Sequence, residues 1–138
     1  MIVSEQNLTM AKSERRTEPP LVVVVDDDAS FRRAVGRLIG LWGYRTFSFG
    51  SAEEYLGTGV ETDCIVLDVH LEGMSGLELQ AVLAAQKKSI PIIFVTAMDD
   101  AEARRSALAA GAAAFLEKPF DDYSLLEVLK AVTSYPST

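Results

Sequence analysis

Apolar residues along this chain fall into short unbroken runs that alternate with stretches where they recur every three or four positions. Leu21-Val22-Val23-Val24-Val25, Cys64-Ile65-Val66-Leu67 and Ile92-Ile93-Phe94-Val95 are the runs. Rich in β-branched residues and lacking polar alternation, they predict strands covered on both faces. Tyr44 to Phe49 and Phe115-Leu116-Glu117 predict two more strands. Between the first two strands, Phe31, Val35, Leu38, Ile39 and Trp42 keep helical spacing until Gly43 ends the helix. Ser51-Ala52-Glu53-Glu54 and Ser75-Gly76-Leu77-Glu78 have the spacing of a capping box. The first predicts a short helix to Gly57, the second a helix carrying Leu79, Val82 and Leu83 inward. Asp99 or Asp100 caps an alanine-rich helix over 101–110 that stops at Gly111. Asp121 or Asp122 opens a last helix that buries Leu125, Val128, Leu129 and Val132. Residues 1–20, polar and closing on Pro19-Pro20, read as a flexible tail, which leaves 21–138 as one domain.

Strand and helix alternate five times, and parallel strands need helical crossovers of one hand. The predicted architecture is therefore α/β, a flavodoxin-like five-stranded parallel sheet in the order 2-1-3-4-5 with helices on both faces. In such a sheet, ligands bind beyond the carboxyl ends of the strands where the order reverses, between strands one and three. The residues at those ends are Asp26-Asp27-Asp28, Asp68, Thr96 and Lys118.

Carboxylates gathered at one edge repel by about 4 kcal/mol per pair at about 4 Å and an effective dielectric near 20. A domain with only about 5–15 kcal/mol of net stability needs protonation, a basic partner or a metal to keep such a cluster. Oxygen donors without a nearby cysteine or second histidine suit a hard divalent cation, and Mg²⁺ accepts few protein ligands while keeping its waters. Thr96 and Lys118 add a hydroxyl and an ammonium, the groups that a phosphoryl group on Asp68 needs for charge neutralisation. Taken singly, each acid after a strand is explained by helix capping and Lys118 by the surface; it is their grouping that argues chemistry.

Composition narrows the partners. With 13 basic and 20 acidic residues in 138, the net charge is −7, so direct binding to nucleic acid is not expected. No apolar run reaches the length of a membrane span and no leader pattern opens the chain, so a cytoplasmic location is expected. Cys64, alone and inside an apolar strand, reads as a small buried hydrophobe.

The ordered motifs Val-Val-Asp26-Asp27-Asp28, Leu-Asp68-Val-His-Leu-Glu-Gly-Met-Ser-Gly, Thr96-Ala97 and Lys118-Pro119 resemble the receiver domains of bacterial two-component response regulators, over residues 21 to about 133. Gly-Tyr-Arg-Thr-Phe and Ser-Ala-Glu-Glu-Tyr-Leu look most like receivers that precede helix-turn-helix outputs of the LuxR and FixJ type. The resemblance implies a phosphoacceptor at Asp68, supplied by a sensor histidine kinase, a phosphotransfer protein or a small acyl phosphate. It implies Mg²⁺ held by Asp27, Asp68 and the backbone carbonyl of His70, with Asp26 acting through water. Thr96 and Lys118 would bind phosphoryl oxygens, the Lys118-Pro119 bond would be cis, and Phe115 would be the switch aromatic, turning from exposed to buried. The face of the fourth helix, fifth strand and fifth helix would change shape and could pair two copies. Such a domain is a signalling switch that catalyses its own modification rather than a turnover enzyme.

Departures from the commonest family pattern bear on rate. Glu72 stands where proline is usual and Ser75 where aspartate is frequent, while His70 and Met98 flank the path of water to the phosphoryl group, Met98 as a shield. The His70 ring is expected to face solvent, since one histidine without a partner ligand makes no metal site. A phosphatase of the haloacid-dehalogenase type would also use an aspartate nucleophile and Mg²⁺, but it needs a second acid two residues on, where this chain has His70. A receiver-like module that only binds partners is disfavoured by the full set of Asp68, Thr96 and Lys118.

Overall fold

A computed structural model describes residues 18–97 and 100–135. The expected tail therefore lies, up to residue 17, outside the described residues, as does the proposed shield Met98. The strands are β1 (Leu21–Val25), β2 (Arg45–Phe49), β3 (Cys64–Asp68), β4 (Ile92–Thr96) and β5 (Ala114–Glu117). The helices between and after them are α1 (Ala29–Leu41), α2 (Ala52–Thr58), α3 (Gly76–Ala85), α4 (Ala101–Ala109) and α5 (Asp122–Thr133). All four strand pairings are parallel, in the order β2-β1-β3-β4-β5.

The unbroken apolar runs do what their composition requires. Every residue of β1, β3 and β4 is buried, because successive side chains point to opposite faces and both faces are covered. Val23, Val25, Ile65 and Leu67 pack on one side with Tyr55, Leu79, Leu83, Ala103 and Ala107, hence with α2, α3 and α4. Val22, Val24, Cys64, Val66, Ile93 and Val95 face the other way onto Val35, Ile39, Leu125 and Leu129 of α1 and α5. The edge strand β2, with its mixture of exposed and half-buried positions, lacks this double cover.

Local signals set the helix ends. Asp28, Asp100 and Asp121 each accept backbone N–H bonds at the start of α1, α4 and α5, which settles the alternatives of adjacent aspartates at the last two. Gly43, at φ +98°, turns the chain out of α1 in the left-handed region that favours glycine. Ser75 and Glu78 form a full capping box, with Glu78 N donating to Ser75 Oγ at 3.1 Å and Ser75 N donating to Glu78 Oε1 at 2.9 Å. The box predicted at Ser51 is only half formed: Ser51 Oγ accepts from Glu54 N, but Glu54 Oε1 takes the amide of Gly50 instead of that of Ser51. Because the α3 box secures the loop that follows Asp68, Ser75→Ala is expected to lower stability by about 1 kcal/mol, read as a shifted urea midpoint with an unchanged slope.

Candidate functional site

Sheet register brings the strand-end residues to one edge. Val25 pairs with Leu67, so Asp26 follows beside Asp68; Asp68 pairs with Val95, so Thr96 stands one step further; Thr96 pairs with Glu117, and Lys118 is next. Carboxylate oxygens of Asp26, Asp27 and Asp68 all lie within 4.8 Å of one another. Asp26 is fully buried and Asp68 is 7% exposed, whereas Asp27 faces solvent.

Each oxygen of Asp26 has a task. Oδ1 accepts from the amide of Asp28 at 2.9 Å, Oδ2 from Lys118 Nζ at 2.7 Å, and the carbonyl from Arg32 Nη1 at 2.6 Å. Lys118 Nζ is also 3.8 Å from Asp68 Oδ2. Asp68 Oδ1 accepts the amide of His70 at 3.2 Å. Burial pushes the Asp68 carboxyl up from 3.8 to about 6, and Asp26 adds repulsion in the same direction. Lys118 and the His70 amide oppose the rise, and Asp27 contributes a smaller upward push. A cation among these oxygens would oppose the rise by attracting the ionised carboxylates, and an all-carboxylate donor set fits a hard divalent ion.

Thr96 is completely buried at the end of β4, its carbonyl accepting the Lys118 amide at 2.7 Å. The Lys118-Pro119 bond is cis. His70 is exposed as expected, its Nε2 3.5 Å from Asp100 Oδ2. Phe115 corrects the expectation of an exposed starting position: the residue is 8% exposed, its ring tilted against that of Phe94 at 6.1 Å, with the Arg104 guanidinium 5.1 Å from its centroid. The buried arrangement is the one found because Phe94 offers an apolar partner on the inner side and Arg104 covers the ring by a cation–π contact.

Sequence reasoning passed over three contributors. Arg32 returns from the first turn of α1 to the Asp26 carbonyl, a contact that no spacing rule signals. Glu53, read only as part of a helix start, accepts the Met74 amide at 2.8 Å and so ties α2 to the loop after Asp68; that bond holds its carboxyl below the ordinary value. Gly76 is pressed against the Asp68 backbone, where a Cβ would run into the Asp68 carbonyl oxygen.

Among the described residues, no helix is long and apolar enough to cross a membrane. Comparison with known proteins identifies the family. Residues 22–130 match the family model for the response regulator receiver domain. Nodulation protein W of Bradyrhizobium diazoefficiens is 44% identical over 115 residues, covering 82% of this chain and 51% of that protein. Transcriptional regulatory protein FixJ of Azorhizobium caulinodans is 38% identical over 112 residues, 80% of this chain and 53% of the relative. The chain thus spans about half the length of these curated relatives. A solved receiver protein from Burkholderia phymatum superposes with a TM-score of 0.74 at 43% identity, covering 83% of this chain and 95% of that one. Sheet order, strand-end acids and family match converge on one assignment: the chain belongs to the receiver domains of two-component response regulators, in the company of FixJ-like proteins.

Proposed function

We propose that Asp68 is the phosphoacceptor of this receiver, that residues 21–138 form the functional unit, and that the donor is a histidine kinase, a phosphotransfer protein or a small acyl phosphate. The observation that carries this reading is the meeting of Asp68 with two further carboxylates and the Lys118 ammonium, 3.8 Å from Asp68 Oδ2. In the transfer, a carboxylate oxygen of Asp68 forms a bond to phosphorus as the bond from phosphorus to the donor nitrogen or oxygen breaks, and the donor leaves with that electron pair. Asp27, Asp68 and the His70 carbonyl would hold Mg²⁺, with Asp26 acting through water. When bound, the ion neutralises charge on the phosphoryl oxygens.

The chain's own groups do the rest. Lys118 moves its ammonium from Asp26 toward a phosphoryl oxygen, and the Thr96 hydroxyl donates to another. Drawing Thr96 inward shifts the loop after β4 and holds Phe115 in its buried place, so the face of α4, β5 and α5 takes its active shape for a partner or a second copy. Moving such an equilibrium from almost wholly inactive to almost wholly active needs about 5.5 kcal/mol of differential interaction, the order reached by two charge-assisted contacts at about 1.5–3 kcal/mol each. The domain promotes its own phosphorylation and dephosphorylation and turns over no other substrate.

Incubation with acetyl phosphate and Mg²⁺, followed by intact mass, tests the reading. One base-labile phosphoryl group is expected on the wild type and none on Asp68→Asn. Equal labelling of both proteins, or none on the wild type, would overturn the assignment of Asp68.

A further inference from the structure

The Lys118 ammonium has a third neighbour besides the two aspartates. Its Nζ sits 4.0 Å from the centroid of the Phe31 ring. That ring is held in two ways. Its own amide, in the first turn of α1, donates to Asp28 Oδ1 at 3.2 Å, so the cap that starts the helix also fixes where Phe31 stands. Phe120 meets it edge-on at 6.2 Å and 80°. Lys118 and Phe120 flank Pro119, so one short segment grips the ring with a cation at one end and an aromatic edge at the other.

We infer that Phe31 is a positioning residue for Lys118, holding the ammonium by its ring face within reach of Asp68 while the charge passes from Asp26 to a phosphoryl oxygen. An aromatic face attracts an ammonium without neutralising it and without demanding a directional bond. The ammonium can therefore slide from Asp26, 2.7 Å away, toward Asp68, 3.8 Å away, and keep this contact throughout. A third carboxylate in the same place would trap the charge. An aliphatic side chain would leave it to water, because Phe31, Lys118, Pro119 and Phe120 also line an open groove of about 650 Å³ that a smaller residue would widen beside the lysine.

The inference rests on the proposed role of Lys118, and its test separates the two. In unphosphorylated protein, the Lys118 side-chain methylene protons next to Nζ are expected upfield of their ordinary position through the ring current of Phe31, and back at that position in Phe31→Leu. Binding of beryllofluoride with Mg²⁺, a stand-in for the phosphoryl group, is expected to weaken about three- to ten-fold in Phe31→Leu. Phe31→Tyr and Phe31→Trp restore it. Replacing Phe31 by 3,4,5-trifluorophenylalanine keeps the shape but drains the ring face of negative charge, and is expected to behave like leucine. Beryllofluoride binding unchanged by the trifluorinated ring, or lysine protons at their ordinary position in the wild type, would overturn the role of Phe31. Absence of any beryllofluoride binding by the wild type, with the upfield shift present, would instead overturn the role of Lys118 and with it the passage of charge described here.

Discussion

Gly76→Ala is expected to destabilise the domain by at least about 3 kcal/mol, a large share of the net stability of a domain this size. Gly76 is the first residue of α3, buried, with its amide donating to the Val69 carbonyl at 2.9 Å. A methyl group there would be driven into the Asp68 carbonyl oxygen and would also lie 3.1 Å from the Asp68 carbonyl carbon and from Cε1 of Phe94. The obstacle is backbone in a central strand, paired to β4 through Asp68 and Val95, so it has no rotamer by which to yield. Either α3 lifts away and strains its capping box, or Asp68 moves and the carboxylate cluster loses its geometry. Urea denaturation checks the size of the effect. Gly40→Ala supplies the control: Gly40 lies in α1 and, apart from the adjoining helix backbone and its chain neighbours, nothing stands within 4 Å of the added methyl, so alanine there is expected to be neutral or stabilising by up to about 1 kcal/mol. Equal midpoints for Gly76→Ala and wild type would show that the helix start has slack which the packing around Asp68 denies.

Asp68→Asn is expected to act in the opposite direction, stabilising the metal-free domain by about 3 kcal/mol at pH 8. The carboxyl titrates at about 6 in the folded protein against 3.8 for an exposed aspartate. The folded state therefore holds the proton more tightly than the unfolded chain does, and wild-type stability falls as pH rises through about 4 to 6, then levels off. Asparagine is neutral throughout and can still accept the His70 amide, so it escapes that loss. The advantage of the variant shrinks to roughly half by pH 5 and disappears below the titration of the unfolded carboxyl. Millimolar Mg²⁺ is expected to narrow the gap at pH 8 by stabilising the wild type more than the variant, since an ion that binds only the folded protein raises its stability by mass action. Thermal or urea unfolding across pH, with and without Mg²⁺, reads all of this. A difference between the proteins that stays constant from pH 8 to pH 4 would mean that burial and Asp26 do not disfavour the ionised Asp68.

These two substitutions, at residues that meet from opposite sides of one strand-to-helix junction, mark the boundary between what linear pattern conveys and what it does not. Asp68 was legible because it ends an apolar run, and in a parallel sheet the end of a buried strand is a location as well as a residue. The same rule found Asp26, Asp27, Thr96 and Lys118. Gly76 was visible only as a small residue after a cap, since the need for it comes from the passage of α3 across the end of β3.

The strands, the helix starts and the strand order could be read from the chain because their causes are local or combinatorial: apolar runs against helical spacing, capping side chains, and the few ways of connecting parallel strands. Even there, the second capping bond of α2 differs by one residue, since Glu54 accepts the amide of Gly50 rather than that of Ser51. The working contacts of the site belong to tertiary structure alone. Lys118 meets Asp26 across 92 positions of sequence, at 2.7 Å and with Phe31 beneath it, and Phe115 is drawn inside by Phe94 and Arg104. Side-chain chemistry lists the groups able to take part, but separations of a few ångströms, and the raised pKa of Asp68 that follows from them, depend on how strands remote in the chain align and what they shut away from water.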